Sequence, residues 1–194
     1  YSSYDLDNSY LDHESFIFLF TYLLHIEYNI HLDWKMTYCL AIKINDGLVF
    51  ASDSRTNAGL DNISAYSKMF TFNVGDRAFV ILTSGNLSTS QAVYHRIEKD
   101  MESKDTVRSL NTCADIEEVA TYIGELNVEY QSKAQENLNQ GSSLLGSYFI
   151  VGGQIKGQDP NLLLVYPEGN FIYMSDDQPY LQIGEIKYGK PILD

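Results

Sequence analysis

The chain has 194 residues, 44% of them hydrophobic and 20% charged, a balance that suits one globular domain and excludes disorder for its bulk. A formal net charge of -13 excludes a nucleic-acid partner, because phosphates are met by Lys and Arg. Two cysteines, Cys39 and Cys113, are too few for a secreted fold built on disulfides and fit a reduced setting.

Residues 1–35 differ from the rest: they contain no Gly, Pro or Ala, and "SFIFLFTYLLHIEYNIHLDW" has no clear period. The apolar run Phe16 to Leu24 is too short to span a bilayer, and its upstream flank is acidic where a secretory signal is basic. No membrane partner is expected and the cytoplasm is the expected location. The stretch reads as an extension outside the domain: translated upstream sequence, a propeptide or a short helix. The domain is expected over 36–194, with Met36 as its initiator. The four histidines, His13, His25, His31 and His95, show no metal-ligand spacing, so no metal is expected.

From Thr37 the pattern becomes regular. "TYCLAIKI" alternates and is β-prone, "NDG" (45–47) signals a hairpin turn, and "GLVFASD" is a compact apolar strand. After a polar loop, "KMFTFNV" and "RAFVILTSG" predict a second hairpin around "GD". A helix follows, capped by Asn86 or Ser88 and running to about Ser103, with Val93, Ile97 and Met101 spaced by four. A second helix starts near Asp115 with Ile116, Val119, Ile123, Leu126 and Tyr130 on one face. Gly124 is a mild flaw in it. "LGSYFIVGGQI", "NLLLVYP" and "NFIYMSD" predict strands, the last two a hairpin. "LQIGEIKYGKPILD" reads as the start of another loop and helix. The expected arrangement is two antiparallel sheets with a helix pair on one side, leaving an apolar sheet face for a partner or further chain to cover.

Four residues carry the candidate chemistry. Thr37 opens the first strand, and Asp53 ends its hairpin partner sixteen residues later, at the same end of the sheet. Lys68 precedes the third strand and Gly85 ends the fourth. Each has a plain structural reading alone: a strand threonine, a loop cap paired with Arg55, a strand-edge lysine, a turn glycine. Cys39 lies on the same strand face as Thr37 and reads as core.

Taken in order, Thr37, "GLVFASDSRTNAG" (47–59), Lys68, "LTSGNLSTSQA" (82–92), "YFIVGG" and "LLLVYPEGNF" resemble the proteasome β-subunit family of N-terminal nucleophile hydrolases. The "MTYC" start, the "FASDSRTNAG" loop and "QIGEIKYGKPIL" are similar to its bacterial Anbu type. The resemblance covers Met36 to Asp194. It implies an α+β, four-layer α-β-β-α sandwich, here lacking most of its last helical layer. It also implies self-association into a ring or spiral, a peptide or other amide substrate, and no cofactor. Where the family has a serine after a late glycine, this chain has Glu185, an acid that would modulate the protonation of a nearby amine.

The chemistry follows from the residue types. A threonine hydroxyl needs a base to remove its proton, and the α-amine of a first-residue Thr37 can serve, directly or through water. The Lys68 ammonium would keep that amine partly neutral and favour the alkoxide. Asp53 would hold Lys68 charged and in place. The Gly85 N–H would face the developing oxyanion, and its lack of a side chain would admit a substrate backbone. The implied reaction is acyl transfer through a threonyl ester. The alternatives are a catalytically silent assembly subunit of the same fold and an amidohydrolase for small amides. No G-x-x-x-x-G-K loop is present, so the chain supplies no ATP chemistry itself.

Overall fold

A computed structural model describes residues 37–53, 56–57, 63–64, 67–138 and 146–186. The 1–35 stretch, Met36, Arg55 and residues 187–194 lie outside them. The elements are β1 (Tyr38–Ile44), β2 (Gly47–Ser52), β3 (Thr56–Asn57), β4 (Ile63–Ser64), β5 (Met69–Val74) and β6 (Arg77–Gly85). They continue as α1 (Leu87–Glu102), α2 (Ile116–Leu138), β7 (Ser147–Ile155), β8 (Asn161–Val165), β9 (Phe171–Tyr173) and β10 (Tyr180–Gly184). The fold is α+β. One sheet has the order β10-β1-β2, a second β5-β6-β7-β8-β9, and β3 pairs with β4. All the pairings are antiparallel. Among the described residues no helix is long and apolar enough to cross a membrane.

The near-continuous apolar runs of β6 and β7 have a simple cause: the second sheet is buried on both faces, and successive side chains alternate between them. Phe79, Ile81, Phe149 and Val151 join Val93, Ile97, Val119 and Ile123 of the helices in one core. Val80, Leu82 and Ile150 join Ala41, Leu48, Phe50 and Ile183 in another, between the two sheets. The helix pair thus covers one side of the second sheet, and the first sheet covers the other. On the opposite face of the first sheet, Leu40, Ile42, Val49 and Ala51 are only partly buried.

The Asn86 side chain caps α1 by accepting from the Thr89 N–H at 3.1 Å, so the predicted cap and both helix starts hold. The helices are tied by the buried Asp100, which accepts from Tyr122 Oη at 2.7 Å and Arg96 Nε at 2.8 Å.

Gly124 is not a flaw. A Cβ at this position would lie 2.1 Å from the Gly169 carbonyl oxygen, so the β8–β9 turn can pack against α2 only over a bare helix backbone. In an exposed helix Gly→Ala stabilises by about 1 kcal/mol. Here Gly124→Ala is expected to destabilise by about 1–3 kcal/mol, as overpacking does. A lower urea midpoint with an unchanged m-value would record it.

One expectation is corrected in part. "LQIGEIKYGKPILD" begins as the end of β10, which pairs with β1 in the register Tyr38↔Gly184, Cys39↔Ile183 and Leu40↔Gln182; the bend and helix start come only at Glu185 and Ile186, and residues 187–194 lie outside the described residues. Five residues have no local signal strong enough to fix their state. The unsatisfied edge of β1, some 140 residues earlier in the chain, decides it.

Candidate active site

Thr37, Asp53, Lys68 and Gly85 come from both sheets and meet at one end of the sandwich. The β1–β2 hairpin is held at its open end by Asp53, whose N–H donates to the Tyr38 carbonyl at 3.1 Å. The Asp53 carboxylate then divides its work. Oδ1 accepts from the Tyr38 N–H at 2.8 Å, the first peptide after Thr37. Oδ2 accepts from Lys68 Nζ at 2.5 Å. Lys68 is 6% exposed, so it is no solvated edge lysine: a buried ammonium needs a carboxylate, and Asp53 provides it.

Thr37 is also held by β10. The Glu185 N–H donates to the Thr37 carbonyl at 2.8 Å. A Cβ at Gly184 would lie 1.9 Å from that carbonyl oxygen, and Gly184 has φ +92°. Only glycine allows this approach. Thr37, Ser84, Gly85, Tyr148, Gly184 and Glu185 line a cavity of about 320 Å³. Of these, Thr37, Gly85 and Glu185 were legible as site residues. Ser84 and Tyr148 were missed, although the pairing Ser84↔Tyr148 follows once β7 is placed beside β6.

The direction of the Gly85 N–H follows from its neighbours. The Thr83 N–H donates to the Lys68 carbonyl (2.9 Å) on the β5 side, and the Asn86 N–H donates to the Gly146 carbonyl (3.3 Å) on the β7 side. Alternation along a strand turns the Gly85 N–H to the β5 side, past Met69 where β5 begins. The donor is therefore not consumed by β7.

Cys39 sits beneath these residues, fully buried, its thiol directed at the Thr83 carbonyl at 3.6 Å. Burial, with the Asp53 charge adding to it, pushes the thiol up to about 12. It is a core residue, as expected, and not a thiolate nucleophile.

No family model matches the chain, and no curated protein matches it. Solved structures do. An Anbu (ancestral beta-subunit) from Yersinia bercovieri is 41% identical with a TM-score of 0.74, covering 81% of this chain and 65% of that one. The helical assembly of the Anbu complex from Pseudomonas aeruginosa is 45% identical with a TM-score of 0.75, at the same coverage. Anbu from Hyphomicrobium sp. strain MC1 is 40% identical with a TM-score of 0.62, covering 81% of this chain and 67% of that one. The chain thus spans about two-thirds of the length of these relatives. At such identity over most of the described fold, the chain belongs to the Anbu family of proteasome-like proteins.

Proposed function

We propose that the chain is an N-terminal threonine hydrolase of proteasome type, cleaving a peptide or other amide bond. One observation carries the reading. A single carboxylate, Asp53, ties the peptide next to Thr37 to a buried lysine, and Thr37 and Gly85 line one cavity. A structural ion pair has no need of a cavity.

The reaction requires Thr37 to be a first residue. Its Oγ attacks the substrate carbonyl carbon while the α-amine, directly or through one water, accepts the Oγ proton. The negative oxygen so formed meets the Gly85 N–H. The C–N bond breaks, the departing amine takes the proton from the Thr37 ammonium, and a threonyl ester remains. Water then attacks the ester with the α-amine again as base, releasing the acid and restoring Thr37. Lys68 keeps positive charge beside the oxygen, and Asp53 holds Lys68. Glu185, one residue past the β10 strand, modulates the amine. A domain over 36–194, a four-layer sandwich, assembly into a spiral like that of the Pseudomonas aeruginosa relative and a cytoplasmic location all belong to this reading.

The test is a threonine-directed peptide electrophile followed by peptide mapping. The adduct is expected on Thr37 and absent in Thr37→Ala. Cys39, with its thiol held up near 12, is expected to stay unmodified in the folded protein at pH 8. An adduct on Cys39, or none on Thr37 once its amine is free, would overturn the reading in favour of a silent assembly subunit.

A further inference from the structure

We infer that Ser147 is a positioning residue that fixes the aim of the Gly85 N–H, with Asn127 of α2 as its anchor. The inference rests on the proposed role of Gly85 and adds two residues to it.

Gly85 is the last residue of β6, where a strand end would ordinarily fray. Its two neighbours in sequence are held from β7. Ser84 pairs with Tyr148, and beyond Gly85 the Asn86 N–H donates to Gly146. Ser147, directly opposite Gly85, supplies the third hold: its Oγ donates to the Asn86 carbonyl at 2.9 Å. That hydroxyl is also 3.0 Å from Ser90 Oγ, which itself donates to the Asn86 carbonyl at 2.9 Å. Three donors therefore converge on one oxygen, because the Ser90 N–H of α1 reaches it as well, at 3.0 Å. A helix start needs only the last of these.

Ser147 is itself fixed. It is fully buried, and its carbonyl accepts from Asn127 Nδ2 at 2.8 Å. Asn127 is also fully buried, and the same Nδ2 reaches the Tyr166 carbonyl at 3.3 Å. A buried asparagine spent on two backbone carbonyls, one of them next to Tyr148 of the cavity wall, serves placement more than stability, since apolar packing would serve stability as well. The backbone on both sides of Gly85 is thus clamped to β7, and β7 is clamped to α2. What lies between is the Gly85 N–H, turned to the β5 side, on a residue that lines the cavity.

Two probes test this on the full-length protein as its host produces it. A peptide boronate forms an O–B bond with Thr37 Oγ; boron becomes tetrahedral, the Oγ proton passes to the α-amine, and a boron-bound oxygen occupies the oxyanion position. A peptide vinyl sulfone alkylates the same Oγ: the Oγ adds to the far carbon of its C=C bond and the proton ends on the carbon next to sulfur, with no oxyanion formed at a carbonyl. In Ser147→Ala, boronate affinity is expected to fall roughly tenfold, short of the hundredfold or more for loss of an oxyanion donor itself. The vinyl sulfone rate is expected to stay at the wild-type value. Should Ser147→Ala fail to fold, Asn127→Asp, which faces both carbonyls with an acceptor, is expected to give the same split. Equal losses with both probes would mark a merely structural role, and no loss with either would mark no role; both outcomes overturn the inference while Thr37 remains the nucleophile. A wild-type protein with a free Thr37 amine that reacts with neither probe overturns the proposed function as well.

Discussion

Lys68→Ala is expected to slow adduct formation at Thr37 by on the order of a thousandfold, within the range seen when a proton-transfer system loses one of its parts. The expectation comes from placement. Lys68 is buried, it immediately precedes β5, and its carbonyl holds the Thr83 N–H two residues before Gly85. Its ammonium is the positive charge that Asp53 brings to the Thr37 end of β1. Without it a negative threonine oxygen must form at the strand end where the Asp53 carboxylate is held, which Coulomb repulsion opposes in a partly dry site. The folding cost is expected to be small, because the Asp53 side chain is 29% exposed and water can take over the freed oxygen. Pseudo-first-order labelling rates beside a urea melt would separate the two effects.

Asp53→Ala is expected to show the reverse balance, with a loss of stability of about 3 kcal/mol accompanying the loss of activity. The asymmetry is physical. Asp53 can be solvated and Lys68, at 6% exposure, cannot, so removing the carboxylate takes away the charge that neutralises a buried ammonium. It also takes the acceptor from the Tyr38 N–H at the start of β1. Asp53→Asn keeps the shape and one acceptor, and its melting curve is expected to lie between those of wild type and Asp53→Ala. If Asp53→Ala melted with the wild type, the pair would be a surface ornament and the reading of Lys68 as a buried, held cation would fail.

Much of this was legible in the residues, for reasons that can be named. The β1–β2 and β5–β6 hairpins rest on short-range alternation and two-residue turns, and the helices on a 3.6-residue period with an asparagine cap. Local pairing could be read; the division of the two hairpins between separate sheets could not. That division depends on β6 pairing with β7 across both helices, as in Val80↔Gly152 and Leu82↔Ile150. The sixteen-residue spacing of Thr37 and Asp53 carried over because a hairpin folds it back on itself. The burial of Lys68 did not show, since a lysine before a strand is ordinarily solvated.

β10 was misread because its five residues take their state from β1. With it went the contact of Glu185 with Thr37, known in the sequence only as a departure from a family serine. Ser147 and Asn127 left no signal at all. A serine after a glycine and an asparagine on a helix face acquire meaning only when a glycine carbonyl and a helix start are brought beside them. Gly124 was the opposite case, visible as an anomaly and explained only by the Gly169 carbonyl across from it.

The chemistry depends on an amine that exists only if nothing precedes Thr37. The most direct measurement is the mass and N-terminal sequence of the mature protein isolated from its own host. The account predicts a chain that begins at Thr37 with an unblocked α-amine. A mature chain that keeps Met36, or any residue before it, would contradict the account and leave Thr37 an ordinary strand residue.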